Sequence, residues 1–310
     1  MVKTLIIFEQ IESLERYFAT EIKREDVDVV APYKLVNSKI MHQVRALCKR
    51  APFTWVHDFW IDDWKKNLTT YDNIVVFDNT LTKPFLNYLK KNKALSSKIK
   101  IWLWNVPSAN LTYLKENVDD IYCFDKEYSK KNDLKFLEQF HILNLEHSHD
   151  NLEKVDFYFI GANKGRQEIL EQLAENLEQL KLKYKFEIFG TSNLSDNYKG
   201  IVSLKQKIDY YQVLENIKES RVIVEINKKS QSGLTLRALE ALFYGKKLVT
   251  NNVNIKSYDF YNDSNIYILG EERENLKEFL DREYKPIPLD IVKKFSFNNW
   301  LSEISKNNED

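Results

Sequence analysis

Short runs rich in β-branched and aromatic residues recur along this chain, separated by segments with helical patterning, and they do so in two successive series. In the first half the strand-like runs fall at 4–8, 27–31, 73–77, 100–104, 120–124 and 140–143. Helical segments are expected at 12–23, 38–49, 84–92 and 134–138. The second series has strands at 155–160, 186–189, about 201, 222–226, 247–250 and 266–269, with helices at 167–182, 208–218, 234–244 and 274–281. Strand–helix alternation is the signature of parallel sheets covered by helices on both faces. With 310 residues there is chain for two such domains. The expected division is 1–150 and 151–310, with the polar segment 145–153 as linker. The last helix, from 295–301, is placed to pack back on the first domain.

Ligands of such sheets bind beyond the carboxyl ends of the strands. In the first half those positions are Glu9 and Gln10, Asp78, Asn105 and Asp125; in the second, 161–166, Gly190, Asn227, 232–235 and Asn251-Asn252. Residues 232–245 read as a hydroxyl-bearing turn, a helix with Arg237 and Glu240 three positions apart, and Gly245 before a buried strand. Backbone N–H groups at such a helix start suit a phosphate. Glu240 then lies about 10 Å further along, at roughly 1.5 Å per residue, the spacing between a diphosphate and its ribose. A second turn, Gly161-Ala-Asn-Lys-Gly-Arg166, opens the next helix with two cations and makes another anion site. The three-glycine dinucleotide fingerprint is absent.

Composition narrows the functional classes. Lys plus Arg equals Asp plus Glu at 46 each, so no global charge favours nucleic acid. Cys48 and Cys123 have no metal-ligand spacing, and the five histidines form no ligand set, His147 and His149 reading as linker and His42 as packed. The first apolar run meets Glu9 early and reads as a strand, not an export signal, and no run is long enough to span a bilayer. The tryptophan-rich stretch 52–66 could suit a membrane interface, with His57 and Asp58 for acid–base work. Packing of Trp55, Phe59 and Trp60 is the reading favoured.

On these residues the second half resembles the donor domain of GT-B glycosyltransferases. The matching pieces are 157–161 with its basic turn, 186–190, 222–226 and 232–250. The whole chain looks like bacterial cell-surface polysaccharide and lipopolysaccharide glycosyltransferases, 71–78, 100–107 and 120–127 resembling their successive strand ends. That resemblance implies two Rossmann-like domains facing a central cleft, a nucleotide-diphosphate sugar of UDP or GDP type as donor, and a glycan or glycolipid as acceptor. It further implies a donor site of Gly161, Asn163, Lys164, Arg166, Asn227, Ser232, Gly233, Leu234, Thr235, Arg237 and Glu240, with Glu240 on the ribose. Asp78 and Glu9 are the candidate bases, Asp125 the third. Retaining members carry two acids eight positions apart, and Ser232 stands where the first would fall. An inverting, metal-independent reaction without a resident cofactor is therefore expected, in a cytoplasmic chain with no nucleic-acid partner and, at most, peripheral contact with the inner membrane face. The alternatives are a nucleotide-sugar epimerase of the same architecture or a non-catalytic sugar-binding scaffold.

Overall fold

The computed structural model describes residues 2–9, 11–36, 38–48, 54–78, 82–104, 106, 108, 111–142, 154–190, 198–228, 232–271 and 275–306. Gln10, Asn105 and the 145–153 linker with its two histidines lie outside the described residues, as do the side chains of His42 and Trp55. The chain divides into two compact units, one of Met1–Leu137 with Leu301–Asp310, the other of Glu138–Trp300.

The first unit holds six parallel strands: β1 (Thr4–Ile7), β2 (Val27–Val30), β3 (Asn73–Phe77), β4 (Lys98–Leu103), β5 (Asp120–Cys123) and β6 (Lys135–Phe136). Their order is β2-β1-β3-β4-β5-β6. The inner strands are mostly apolar because helices cover both faces, and each residue of β1 and β3 is buried, Thr4 and Asn73 included. Leu5, Ile7, Ile74, Val76, Ile99, Ile101 and Leu103 make one face of the core. Strand order reverses between β1 and β3, which opens a crevice at their carboxyl ends. Trp60, Trp64 and His57 of the aromatic stretch are buried, and the Trp64 indole donates to the Ala31 carbonyl at 2.9 Å, whereas Phe59, expected to pack, is exposed.

Two expectations fail where the first unit gives way to the second, for one reason. The helix at 134–138 is instead the edge strand β6, and the described residues 140–142 of the expected strand at 140–143 form only a bridge between His141 and Ser296. A seven-residue helix, Lys126–Asn132, precedes β6 and stops at Asp133, whose φ of 50° is left-handed. The chain leaves that stop extended and pairs with β5 through Tyr122–Lys135 and Cys123–Phe136. The sheet edge is then already occupied when residue 140 is reached.

The second unit is also six-stranded and parallel: β7 (Val155–Ala162), β8 (Tyr184–Phe189), β9 (Ile201–Leu204), β10 (Ser220–Glu225), β11 (Lys247–Thr250) and β12 (Ile266–Ile268). The order β12-β11-β10-β7-β8-β9 is that of the Rossmann fold, with its switch point between β7 and β10. Helix Gln167–Gln179 buries Leu170, Leu173, Ala174 and Leu177 against Phe157, Phe159 and Phe186. Neighbouring residues of a strand face opposite ways. Tyr158 therefore meets the other layer, where helix Tyr210–Lys218 gives it the Asn216 amide at 3.2 Å. Helix Leu236–Phe243 lies in that same layer against β10 and β11. No helix among the described residues is long and apolar enough to cross a membrane.

Candidate functional site

The switch point of the second unit collects most of the residues singled out above. After β7, Asn163 ties the chain to β8 by donating its N–H to Phe189 O at 2.8 Å, and its side chain accepts from Gln167 N at 3.2 Å. Lys164 and Gly165 follow in the left-handed region, at φ 41° and 82°. A lysine held there is strained by about 1–3 kcal/mol. At Gly161 a Cβ would lie 3.0 Å from the Phe159 ring and 3.4 Å from the Arg166 guanidinium, so glycine leaves room for Arg166 to fold back. Arg166 donates to the Ala162 carbonyl at 3.1 Å, while its Nε is buried without a hydrogen-bond partner. Burial lowers the Arg166 pKa against the pull of Glu225. The Lys164 ammonium is pushed down by burial, then by Lys228 and Arg166. Three cations thus share one field across the carboxyl ends of β7 and β10.

The β10 side is built for the same spot. Asn251 grips the Asn227 backbone, accepting its N–H at 2.7 Å and donating to its carbonyl at 3.1 Å. The Asn227 side chain is only 6% exposed, yet neither its Oδ1 nor its Nδ2 has a hydrogen-bond partner. Buried amides are normally satisfied, so this one calls for an explanation. The 232–235 turn is held from two sides. Asn252 donates to Ser232 O at 3.2 Å, and Thr235 both caps the helix at Arg237 N (3.2 Å) and donates its hydroxyl to Glu225. Leu234 is fully buried and can offer a ligand its backbone alone. Glu225 also accepts from the Thr250 hydroxyl at 2.6 Å, and burial raises its pKa.

Arg237 and Glu240 sit one turn inward. Glu240 is 0% exposed; its Oε2 lies 2.5 Å from Arg237 Nη1 and its Oε1 accepts from the Tyr210 hydroxyl at 2.6 Å. Burial pushes its carboxyl up to about 7, opposed by Arg237 and Tyr210. The helix therefore carries a buried ion pair, and its carboxylate is enclosed by protein.

In the first unit Glu9 follows β1 and Asp78 follows β3, so the two candidate bases flank that sheet's own switch point. Glu9 is exposed. Asp78 accepts from Trp104 N at 2.9 Å, bracing the ends of β3 and β4. Asp125 is buried and accepts from Tyr128 N at 2.9 Å as the cap of helix Lys126–Asn132. Among the described residues no group of three or more His, Cys, Asp or Glu could hold a metal.

Four residues of the second unit escaped sequence reasoning. Lys228 and Glu225 lie within two positions of Asn227, and an acid inside the apolar run 222–226 was a usable signal. His141 and Tyr210, which reach Glu240 from far along the chain, carried none.

No protein-family model matches the chain, and no curated protein matches it in sequence. Its fold, however, matches solved glycosyltransferases over its whole length. An alpha-glucosyltransferase in complex with UDP and a 13-mer DNA containing an HMU base covers 98% of both chains, with 13% identity and a TM-score of 0.58. HepE of Anabaena in complex with UDP covers 98% of both at 12% identity and a TM-score of 0.57. A glycosyltransferase from Rickettsia africae does so at 12% identity and a TM-score of 0.51. The chain has the α/β fold of these proteins, with two Rossmann-like domains.

Proposed function

We propose that this chain is a glycosyltransferase that takes its sugar from a nucleoside-diphosphate donor bound at the switch point of the second unit. The observation that carries the reading is the convergence there of Lys164, Arg166 and Lys228 beside the unpartnered amide of Asn227. A diphosphate supplies the missing counter-charge, and UDP is the ligand of two of the similar structures. As the bond from the sugar C1 to the diphosphate oxygen breaks, negative charge collects on the leaving diphosphate. Preorganised cations stabilise that charge without a resident metal. An acceptor hydroxyl attacks C1 from the opposite side, inverting it, and loses its proton to a carboxylate of the first unit, Asp78 or Glu9.

The acceptor we infer is a glycan or glycolipid of the cell surface, reached from the cytoplasmic side. The similar alpha-glucosyltransferase holds DNA, but 46 basic residues against 46 acidic give this chain no excess of cations to neutralise phosphates along a duplex. Both cysteines are free, which suits a reducing compartment.

The test is calorimetric titration with UDP, GDP, CMP and dTDP of the wild type and of a Lys164→Met/Lys228→Met variant. One nucleotide should bind, and the variant should bind it about 10–100-fold more weakly, at roughly 1.4 kcal/mol per tenfold. A protein that binds none of the four is not a transferase of this kind.

A further inference from the structure

Exposed large apolar side chains stand singly along most of this chain, and single ones need no explanation. Helix Lys39–Cys48 of the first unit is the exception among the described residues. Ile40, Met41, Val44 and Leu47 are all exposed, Ile40 and Leu47 to 71%. Positions 40, 44 and 47 follow the i, i+4, i+7 spacing of one helical stripe, which a surface helix normally turns toward the core. Here the helix is held by other parts of its surface. Cys48 packs against the core of the unit, and Arg45 donates to the Lys34 carbonyl at 2.5 Å. That bond ties the helix to the segment carrying Leu35, itself 95% exposed.

The charge around the stripe has one sign. Lys34, Lys39, Arg45, Lys49 and Arg50 fall between Val29 and His57, where the sequence has no Asp or Glu. The acids that come next are engaged. Asp58 accepts from the Tyr88 hydroxyl at 2.9 Å and lies 3.2 Å from the Lys65 ammonium. Asp62 accepts from Asp63 N at 2.8 Å, and Asp63 lies 3.1 Å from Lys66. A second copy of the chain would bring like charges together across a two-fold axis. A nucleic acid would match the cations but leave the apolar stripe without a partner, since such interfaces are polar. A surface with an anionic layer over an apolar interior matches both.

We propose that helix Lys39–Cys48 docks the first unit on an anionic lipid bilayer. Ile40, Val44 and Leu47 enter the boundary between headgroups and acyl chains, and the cations around them pair with lipid phosphates. The attraction contributes about fivefold in partitioning for each cation near the surface and is screened by salt. This goes beyond the donor reading and does not depend on it.

The experiment is sedimentation of the full chain with vesicles of phosphatidylcholine alone and of phosphatidylcholine mixed equally with phosphatidylglycerol. The wild type should partition onto the mixed vesicles about tenfold or more above the neutral ones, and about 1 M salt should remove that preference. Ile40→Ser/Leu47→Ser changes only exposed positions, so its Tm and its nucleotide affinity should match wild type while its partitioning falls about tenfold or more. Lys34→Glu, also at an exposed position, should lower partitioning about fivefold or more with Tm unchanged. Failure to sediment with the mixed vesicles, equal sedimentation with both kinds, or full binding by the serine variant overturns the proposal. A wild-type dimer in light scattering that the serine variant renders monomeric also overturns it, and assigns the stripe to a second copy.

Discussion

Thr250→Val isolates what holds the 232–235 turn in place. Thr250 is fully buried, and valine has its shape, so the change deletes polarity without opening a cavity. Its hydroxyl donates to Glu225 at 2.6 Å and accepts from Asn252 N at 3.0 Å. A hydrogen bond to a buried carboxylate contributes about 1.5–3 kcal/mol and a neutral one about 0.5–1.5. The expected loss is therefore about 2–4.5 kcal/mol, or roughly 5–15 °C in Tm for a unit of this size. Scanning calorimetry at neutral pH reads it. Thr235→Val should cost at least as much, because it also removes the cap on Arg237 N. In the Glu225→Gln background the cost of Thr250→Val should fall by about 1–3 kcal/mol, since the pair is coupled. A Thr250→Val protein within about 0.5 kcal/mol of wild type, the range of a surface change, would refute the bracket.

Two further outcomes are expected. Lys100 is fully buried in β4 and donates to the carbonyls of Ile304 (2.7 Å) and Lys306 (3.0 Å) at the end of helix Phe297–Ser305. Lys100→Met should lower stability by about 2–4 kcal/mol in denaturant unfolding; a more stable variant would show that freeing the ammonium from burial outweighs the lost bonds. Asp78→Asn keeps the oxygen that accepts from Trp104 N, so thermal stability should hold. If Asp78 is the base, sugar transfer should drop by about 10²–10⁴-fold; if Glu9→Gln shows that loss instead, the base is Glu9.

The fold was legible because its signals are local. Apolar runs such as 73–77 and 222–226 and the 3.6-residue stripe of 167–179 are visible within a few turns. Helices Leu111–Asn117 and Lys126–Asn132 went unseen because seven residues make too few turns to show a period. At the site, strand ends exposed Glu9, Asp78, Asn227 and the 161–166 turn. Glu240 lies on a helix whose apolar neighbours Ala238, Leu239, Ala241 and Leu242 already signal burial, but nothing local shows that its carboxylate is held by Tyr210 as well as Arg237. No pattern joins positions 141, 210 and 240, because only the order of strands in space brings them together. Lys100 and Lys247 stood inside apolar runs and turn out to be buried caps, Lys247 donating to the carbonyls of Phe279, Leu280 and Arg282.

The helix that begins at Phe297 passes from one compact unit to the other between Trp300 and Leu301. This has a consequence for synthesis on the ribosome. When residue 137 has been added, every strand of the first sheet exists, yet the carbonyls that satisfy Lys100 lie more than 160 residues ahead. Until they emerge, a strand near the middle of that sheet carries an ammonium with neither of those acceptors. The half made first is thus completed last, and a nascent chain stalled anywhere before residue 301 should be open to proteolysis in its earliest-made part.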